Sequence, residues 1–341
     1  MTDRYAAAGV HLEAAAEAKR RIAQLVQETR TPLALGAIGA FGGLVRVPPG
    51  YAHPVLVLST DGVGTKVLVA AAAGTYDTVG EDLVNHGVND ILVHGARPLA
   101  FLDYIATGVL DAATAAAIVA GVARGCQAHA MTLAGGETAE LPDLYQPGHF
   151  DLAGTIVGVV EERAALTGAR VQPGDVLLGY ASNGLHTNGY TLARHIVFDR
   201  LRLDLEDEFP ETGRSVAQVL LDVHRSYAPA VAPVLAHVHA LAHITGGGIP
   251  GNLVRVLPPE CEALVDARAW PWPTVFRVLM RAGDVSLGEM RRVFNVGVGM
   301  IGIAARDDVE TVLAAARQAE VDAWIIGEVV AGETGVRFVE R

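Results

Sequence analysis

A short segment at residues 161–175 constrains the fold of this chain more than any other feature. It reads EERAALTGARVQPGD and places charged residues, glycine and proline between two apolar runs. That composition is typical of a boundary between domains. The chain has 341 residues, which exceeds the length that one hydrophobic core usually organises. We therefore expect two domains, at residues 1–165 and 166–341, each with a core of its own.

Both halves of the sequence mix patterns of strands and helices. Short β-branched and apolar runs predict strands, Asp111 is the expected N-cap of one helix, and Thr78 and Glu81 have the spacing of a capping box that opens another. The predicted strands lie near 55–59, 99–105, 152–160 and 324–330, and the predicted helices lie near 79–94, 111–129 and 307–319. Residues 201–215 are expected to form a charged surface loop between helices. This mixture predicts an α+β (two-layer α/β) fold in two domains.

Charge and composition exclude several kinds of partner. A formal net charge of −12 and a pI near 5.4 leave no basic surface for a phosphate backbone, so we expect no nucleic acid. No apolar stretch is long enough to span a membrane, and the N-terminus lacks the pattern of a signal peptide, which predicts a cytoplasmic protein. Cys126 and Cys261 lie far apart in the sequence, so we expect neither a disulfide framework nor a zinc site.

Four glycine-rich segments can bring backbone N–H groups close to an anion. They are GAIGAFGG at 36–43, DGVGTK at 61–66, AGGET at 134–138 and ITGGGIPGN at 244–252. The P-loop and the dinucleotide-binding G-x-G-x-x-G unit are both absent, and any one of these segments alone could simply turn the chain. Together with Lys66, one of only two lysines among 26 basic residues, they favour a phosphate-rich ligand.

Acidic residues beside these segments predict a metal ion. Carboxylate oxygens could hold Mg²⁺ between ATP phosphates, although loop aspartates often serve turns and caps instead. The acids concerned are Asp61, Asp82, Asp90 and Glu137. On the helix predicted near 79–94, five polar residues share the face opposite the apolar stripe, where a polar face is usually solvated. They are Asp82, Asn85, His86, Asn89 and Asp90.

Two histidines in the second half lie in loops with flanking glycine and asparagine. His186 belongs to SNGLHTNGY at 182–190, and His243 begins HITGGG at 243–248. An imidazole in such a loop could transfer a proton or contact a departing phosphate, or it could serve only the structure. Asn188 could position a substrate or act only as an N-cap.

The segment DILVHGARP at 90–98 matches the signature D-x4-G-A-x-P. With it the chain resembles the aminoimidazole ribonucleotide synthetase superfamily, whose other motifs follow in order along the sequence. TDGVGTK at 60–66 and GGETAELP at 135–142, joined to SNGLHTNGY and HITGGG, resemble the phosphoribosylformylglycinamidine cyclo-ligase family. The signature alone would also suit a small-molecule kinase such as thiamine-monophosphate kinase, or a non-catalytic nucleotide-binding assembly protein.

The resemblance implies an enzyme of purine biosynthesis. Its reaction would be the ATP-dependent ring closure of formylglycinamidine ribonucleotide to 5-aminoimidazole ribonucleotide, with ADP and phosphate as the other products. ATP and Mg²⁺ would be its ligands. The implied assembly is a homodimer in which the N-terminal sheet forms a barrel shared with its twin, while the C-terminal α/β domain completes the active-site cleft.

The same resemblance assigns candidate roles to individual residues. The catalytic candidates are Lys66, His186 and His243. The metal ligands are Asp61, Asp90 and Glu137. The residues expected to bind ATP or its phosphates are Gly42, Gly43, Asp61, Gly62, Gly64, Thr65, Lys66, Asn89, Gly135, Gly136 and Thr138. The residues expected to bind the substrate are Asn188, Thr245, Gly246, Gly247 and Gly248.

Two positions depart from the family pattern. Ala40 occupies a position that is usually glycine in the first glycine-rich loop, which would narrow the backbone angles open to it. Val223 and His224 replace a common Pro-Thr pair before Arg225. We expect His224 to alter contacts on the substrate side if this segment lines the cleft.

Overall fold

A computed structural model describes residues 11–36 and 39–340, so residues 37 and 38 of the first glycine-rich segment lie outside it. The chain forms two compact units. The N-terminal unit contains residues 1–91 and 97–162, and the C-terminal unit contains residues 92–96 and 163–341. Within the described ranges, no helix has both the length and the apolar character needed to cross a lipid bilayer.

The N-terminal unit is built on a four-stranded sheet. Its helices are α1 (Leu12–Glu28), α2 (Lys66–Ala73), α3 (Asp77–Leu92) and α4 (Ala112–Ala128), and its strands are β1 (Ala34–Leu35), β2 (Leu44–Val45), β3 (Pro54–Gly62), β4 (Arg97–Thr107), β5 (Thr132–Glu140) and β6 (Phe150–Glu161). β1 pairs with β2, and the sheet has the order β3-β6-β4-β5, antiparallel except for β4 and β5. The strands predicted in this half are confirmed as β3, β4 and β6.

Strand β5 is not predicted by the sequence, because its AGGET segment has the composition of a loop. In the structure it pairs in parallel with β4, and Gly136 lies opposite Asp103. A Cβ atom at Gly136 would lie 2.1 Å from Oδ1 of Asp103. Glycine is therefore required here by a close approach within the sheet rather than by a turn.

The first turn of α3 differs from the prediction, whereas that of α4 agrees with it. Helix α3 begins at Asp77, and Thr78 Oγ1 is buried without a hydrogen-bond partner among the described residues, so the expected capping box does not form. In α4, the Asp111 side chain accepts a hydrogen bond from the backbone N–H of Thr114. That N-cap is confirmed.

Helices α3 and α4 pack at glycines. A Cβ atom at Gly80 of α3 would lie 2.0 Å from the carbonyl oxygen of Ile118, and one at Gly121 of α4 would lie 1.8 Å from the carbonyl oxygen of Asp77. A Cβ atom at Gly125, one turn further along α4, would lie 2.7 Å from the Cβ atom of Val84 in α3. The two backbones therefore touch, which fixes the position of α3 against its neighbour.

The C-terminal unit is built on a six-stranded sheet of order β10-β12-β7-β13-β11-β14, antiparallel except for β11 and β14. The strands are β7 (Val176–Ala181), β8 (Glu208–Phe209), β9 (Arg214–Ser215), β10 (Ala240–His243), β11 (Cys261–Asp266), β12 (Val298–Ala304), β13 (Ala323–Ala331) and β14 (Gly335–Val339). The helices are α5 (Tyr190–Arg194), α6 (Val216–Leu220), α7 (Ala228–Val231), α8 (Gly248–Leu253), α9 (Thr274–Gly283), α10 (Leu287–Val293) and α11 (Val309–Gln318), with a π-helical turn at His195–Arg200.

One expectation for this unit needs correction. Residues 201–215 are not only a surface loop, because they include the hairpin β8–β9, in which Phe209 is fully buried. The strand predicted near 324–330 is confirmed as β13, but β14 follows it and pairs with β11. The helix predicted near 307–319 is confirmed as α11.

Candidate active site

The polar face of α3 is buried, contrary to the solvated face that its periodicity predicts. Asp82 and Asn89 are fully inaccessible, and Asn85 and His86 are less than a tenth exposed. Burying so many polar groups costs free energy unless each gains a partner. The partners reach this face from parts of the chain remote in sequence.

Lys66 supplies one of these contacts. It is the first residue of α2, and its Nζ lies 2.7 Å from Oδ2 of Asp82, with both side chains fully buried. A buried pair of this kind holds its two elements in a fixed relation, since separating the charges leaves one of them in a medium of low polarity. Lys66 thus binds the glycine-rich DGVGTK segment to α3.

Asp61 and Asp90 meet at His86. The Nε2 atom of His86 lies 3.0 Å from Oδ2 of Asp61 and 3.6 Å from Oδ2 of Asp90. Ser59 Oγ donates to Oδ2 of Asp90 at 2.9 Å, and the backbone N–H of Gly62 donates to Oδ1 of Asp61 at 2.7 Å. The end of β3 and the polar face of α3 therefore bring two carboxylates to one imidazole.

The charges of this group stabilise one another. Burial opposes a charge on His86, but the hydrogen bond to Asp61 and the nearby carboxylates outweigh it and raise the pKa of the imidazole. Burial likewise opposes ionisation of Asp61, but the hydrogen bond from His86 outweighs it and lowers the pKa of the carboxyl. A positive charge is thus favoured between Asp61 and Asp90.

The other phosphate-binding candidates near Asp61 lie along the same connection. Gly62 ends β3, Gly64 has a left-handed φ of 56°, and Thr65 directly precedes α2 without capping it through its side chain. Asn89 is buried on the same face of α3 as Asp82.

A second set of candidates lines a cavity of about 760 Å³ in the N-terminal unit. Helix α1, the segment from Gly39 to Val45 and strand β5 form its walls. The predicted residues that it brings together are Gly42, Gly43, Gly135, Gly136, Glu137 and Thr138, and Ala40 also contacts it. A Cβ atom at Gly43 would lie 2.6 Å from the carbonyl oxygen of Ala134, so the glycine-rich loop rests directly on β5.

Asp103 also lines this cavity, although the sequence predicts no role for it. Its side chain is only 8% exposed, and burial raises the pKa of the carboxyl to about 7. The group can therefore carry a proton near neutral pH, so it can donate as well as accept a hydrogen bond.

The sheet register separates Glu137 from Asp61. Asp61 pairs with Gly154, Gly154 with Asp103, and Asp103 with Gly136, the neighbour of Glu137. Three strand spacings amount to about 14 Å. Within one chain, Glu137 is therefore not brought to the carboxylates of Asp61 and Asp90.

In the C-terminal unit, His186 and His243 meet at His224. Nε2 of His224 lies 3.2 Å from Nε2 of His243, and the rings of His186 and His224 stack with centroids 4.1 Å apart. All three side chains are buried. His186 has a left-handed φ of 61°, an uncommon conformation for a residue with a side chain that often accompanies a functional constraint.

The loop from Thr245 to Gly248 is held by Asn252, a buried residue that the sequence motifs do not single out. Nδ2 of Asn252 lies 2.9 Å from the carbonyl oxygen of Gly248 and 3.2 Å from that of Gly246. Gly247 and Gly248 both have positive φ, and a Cβ atom at Gly248 would lie 1.9 Å from the carbonyl oxygen of Arg291. These hydrogen bonds fix the conformation of the loop, and that conformation requires glycine at positions 247 and 248.

Asn188 faces this loop. A Cβ atom at Gly246 would lie 3.5 Å from Oδ1 of Asn188, and Nδ2 of Asn188 is a buried donor without a hydrogen-bond partner among the described residues. Gly189 is the N-cap of α5, so Asn188 is not the cap that the sequence left open. A buried amide N–H group without a partner can donate a hydrogen bond to a ligand.

Comparison with known proteins assigns the family. Residues 42–160 match the protein-family model described as AIR synthase related protein, N-terminal domain. Residues 172–340 match the family model described as AIR synthase related protein, C-terminal domain. A protein from Sorangium cellulosum named phosphoribosylformylglycinamidine cyclo-ligase is 46% identical over 100% of this chain and 99% of its own length. The chain belongs to the phosphoribosylformylglycinamidine cyclo-ligase family.

A second cyclo-ligase relative, from Symbiobacterium thermophilum, is 49% identical over 97% of this chain and 96% of its own length. Solved structures show how widely the fold extends beyond the cyclo-ligases. A thiamine-monophosphate kinase from Stenotrophomonas maltophilia superimposes with a TM-score of 0.70 at 20% identity, covering 94% of this chain and 95% of its own. A hydrogenase maturation protein in complex with ATP gives 0.66 at 19% identity, with coverages of 94% and 90%. At these identities the likeness concerns the fold alone.

Proposed function

We propose that this chain closes the imidazole ring of 5-aminoimidazole ribonucleotide from formylglycinamidine ribonucleotide, using ATP and releasing ADP and phosphate, in purine biosynthesis. The observation that carries the proposal is the identity of 46% and 49% with proteins named cyclo-ligase, over 100% and 97% of this chain. Both structural units are included in that likeness, so the proposal concerns the whole chain.

The reaction requires activation of an unreactive amide. An amide carbonyl resists attack, and its oxygen leaves poorly. Transfer of the γ-phosphoryl group of ATP to that oxygen gives an imidate phosphate, from which phosphate departs as the amidine nitrogen bonds to the carbon. The site must therefore hold a triphosphate, place the amide oxygen in line with it and accept the proton lost on ring closure.

We assign the nucleotide to the 760 Å³ cavity of the N-terminal unit. Its volume suits a ligand of this size. Backbone N–H groups of Gly42, Gly43, Gly135 and Gly136, with the Thr138 hydroxyl, offer hydrogen bonds to an anion. Asp103, when protonated, would add a donor on the same wall.

Asp61 and Asp90 fit a magnesium ion. Their carboxylates offer the hard oxygen ligands that Mg²⁺ prefers, and their arrangement around His86 already favours a positive charge between them. Magnesium would neutralise phosphate charge there. Glu137, about 14 Å away across the sheet, would then serve a different ion or act through a partner subunit.

For Lys66, the buried contact with Asp82 supports a role in positioning the DGVGTK segment. Direct contact with the transferred phosphoryl group would require Lys66 to leave that contact. We therefore propose that Lys66 acts on the phosphates by fixing the backbone of Gly62, Gly64 and Thr65.

In the C-terminal unit we assign the substrate phosphate to Thr245, Gly246, Gly247 and Gly248, with Asn188 as a donor to the substrate. Helix α8 has only six residues, so we attribute the affinity to local N–H groups rather than to a helix dipole. His186 and His243 are the proposed groups for proton transfer and for contact with the departing phosphate.

We also propose a homodimer that pairs the N-terminal sheets. Strand β3 lies at one edge of its sheet and exposes Val55, Leu56 and Leu58 by 39%, 49% and 63%. An exposed apolar edge strand promotes pairing with another chain. A shared barrel would cover it.

One assay tests the proposed activity. The purified protein, given formylglycinamidine ribonucleotide, ATP and Mg²⁺, should form ADP and aminoimidazole in equal amounts, and omission of the ribonucleotide should abolish both. ADP formed together with a phosphorylated substrate would indicate a kinase. The absence of stoichiometric ADP would indicate a nucleotide-binding assembly protein. Either result would overturn the proposal.

A further inference from the structure

We infer that Phe41 recognises the base of the nucleotide, and that its ring stacks on the purine in the 760 Å³ cavity of the N-terminal unit. The inference rests on the proposed function, because it concerns the cavity to which we assign ATP. It goes beyond that assignment in naming a side chain of the first glycine-rich loop that binds the base. The glycines of the loop can contact a ligand only through the backbone.

Phe41 is the most exposed large apolar side chain in the part of the chain that the structure describes. Its relative accessibility is 116%, so the described residues leave both faces of the ring in water. Phenylalanine is among the residues most often buried, because water contact with its ring is unfavourable. Phe41 also lines the nucleotide cavity. Binding cavities are commonly lined by aromatic side chains, so a ligand in this cavity would cover the ring.

A hairpin holds Phe41 at the cavity. Strands β1 and β2 pair, with Ala34 opposite Val45, and Phe41 belongs to the loop that joins them. Gly43 rests on β5, since a Cβ atom there would lie 2.6 Å from the carbonyl oxygen of Ala134. A Cβ atom at Gly42, in contrast, would meet no described atom within 4 Å. The loop is therefore anchored beside Phe41, and the space around its tip lets the ring turn onto a ligand.

Helix α1 gives the same cavity an apolar wall. The residues of α1 that line the cavity recur three and four positions apart, which places them on one helical face. Apart from Lys19 they are apolar, and three of them are alanine. They are Ala15, Ala18, Lys19, Ile22, Ala23 and Val26.

Two hydrogen bonds align this wall with β5. The backbone N–H of Leu133 donates to Thr29 Oγ1 at 3.0 Å, and the backbone N–H of His11 donates to Oε2 of Glu140 at 2.6 Å. Helix α1 therefore runs antiparallel to β5. Its later residues on the cavity face, Ile22 to Val26, consequently lie towards the end of β5 on which Gly43 rests.

The chemistry of a purine fits these two surfaces. A purine is flat and has two apolar faces, one of which can lie on the small side chains of α1. The other can stack on the ring of Phe41, an interaction that aromatic side chains make with any base. The phenyl ring extends away from the backbone, so the N–H groups of Gly42 and Gly43 can contact phosphate from the same loop.

The test compares two ligands that differ in the base. Phe41→Ala should raise the Kd for ATP, measured by calorimetry with Mg²⁺, about fivefold to a hundredfold, the usual effect of losing one aromatic stack. The Kd for inorganic tripolyphosphate, which has no base, should change less than about twofold. Leu144→Ala is the matched control, because it truncates a 76% exposed apolar side chain in another loop of the same unit. It should leave both values unchanged.

A fluorescence measurement reports on the contact itself. Phe41→Trp keeps an aromatic face, so its Kd for ATP should stay close to that of the wild type. The three native tryptophans lie in the C-terminal unit, and subtraction of the wild-type signal removes their contribution. The indole added by Phe41→Trp should be quenched by ATP and not by tripolyphosphate, because only the base stacks on it.

Three outcomes would overturn the inference. An unchanged ATP affinity in Phe41→Ala would do so, and dissociation of a dimer in the same variant would then assign the ring to a subunit contact. Equal losses for ATP and tripolyphosphate would show that the variant disrupts the loop as a whole. Equal quenching of the added indole by both ligands would exclude stacking on the base.

The proposed function fails on a different result. If ATP affinity depends on Phe41 as expected but the wild-type protein forms no aminoimidazole, the function is wrong and the stacking stands. If the wild type forms aminoimidazole and Phe41→Ala binds ATP normally, only the stacking is wrong.

Discussion

The substitution Asp103→Asn tests whether the cavity wall contains a proton-binding carboxyl. Asp103 is almost entirely buried, and burial raises its pKa from 3.8 to about 7. Between these two values the folded protein binds a proton that the unfolded chain has already lost. The free energy of unfolding contributed by Asp103 is therefore largest at acidic pH and falls as pH rises towards 7.

The size of the effect follows from the two pKa values. Each pH unit between them lowers the free energy of unfolding by about 1.4 kcal/mol, and the loss levels off above pH 7. From pH 5 to pH 8 the free energy of unfolding of the wild type should thus fall by about 2.5 kcal/mol relative to that of Asp103→Asn. The asparagine side chain has a similar shape and no charge to bury. Because other ionisable groups are common to both proteins, their effects cancel in the comparison.

The assay must report on the N-terminal unit itself. All three tryptophans, Trp270, Trp272 and Trp324, lie in the C-terminal unit, so tryptophan fluorescence would follow the wrong part of the chain. Hydrogen exchange of the β4 amides, compared between variant and wild type at each pH, measures opening around Asp103 directly. We expect the variant to gain protection relative to the wild type as pH rises.

Asp143→Asn provides the control for this comparison. Asp143 is an exposed carboxylate in the same unit, and its left-handed φ of 70° suits asparagine. The protection of the β4 amides in Asp143→Asn, relative to the wild type, should stay constant between pH 5 and pH 8. If the Asp103→Asn difference is equally flat, the carboxyl is ionised in the folded protein, and the reasoning from burial is wrong.

Four further predictions probe the α3 cluster, His186 and the Thr245 loop. Lys66→Met should lower the free energy of unfolding by about 3 kcal/mol, and Lys66→Met with Asp82→Leu should recover most of it, because a buried charge left alone costs more than a missing pair; chemical denaturation measures both. Asp90→Asn should lower turnover about a hundredfold and raise the Mg²⁺ concentration needed, with little change in Tm. His186→Asn, which tolerates the left-handed backbone, should lower turnover about a hundredfold while remaining folded, and a loss under about threefold would exclude acid–base assistance. Gly248→Ala should distort the Thr245 loop and raise KM for the ribonucleotide about tenfold or more, as steady-state kinetics would show.

Local patterns in the sequence predict those elements whose formation depends on neighbouring residues. The β-branched runs indicate β3, β4 and β6, and Asp111 indicates the start of α4. Strand β5 escapes prediction because glycine normally weakens a strand, whereas here Gly136 makes room for a carboxyl on the adjacent strand. That carboxyl lies more than thirty residues earlier in the chain, so no local pattern could reveal it.

The burial of the polar face of α3 cannot be predicted from the periodicity of the sequence, for a related reason. The spacing of Asp82, His86 and Asp90 correctly places them on one helical face, but burial of that face depends on Lys66 and Asp61, which come from another connection. From the sequence alone, Lys66 has the character of a mobile cation in a loop, whose replacement would leave folding little changed. In the structure it is part of the interior.

The contact between α3 and α4 at Gly80, Gly121 and Gly125 affects how relatives of this chain should be compared. Substitution at any of these positions would push the two backbones apart and displace the helix that carries Asp82, His86 and Asp90. Natural variation should therefore be as restricted there as at residues that touch a ligand. Invariance of these three glycines across an alignment would record a packing distance, and it should not be counted as a sign of chemistry.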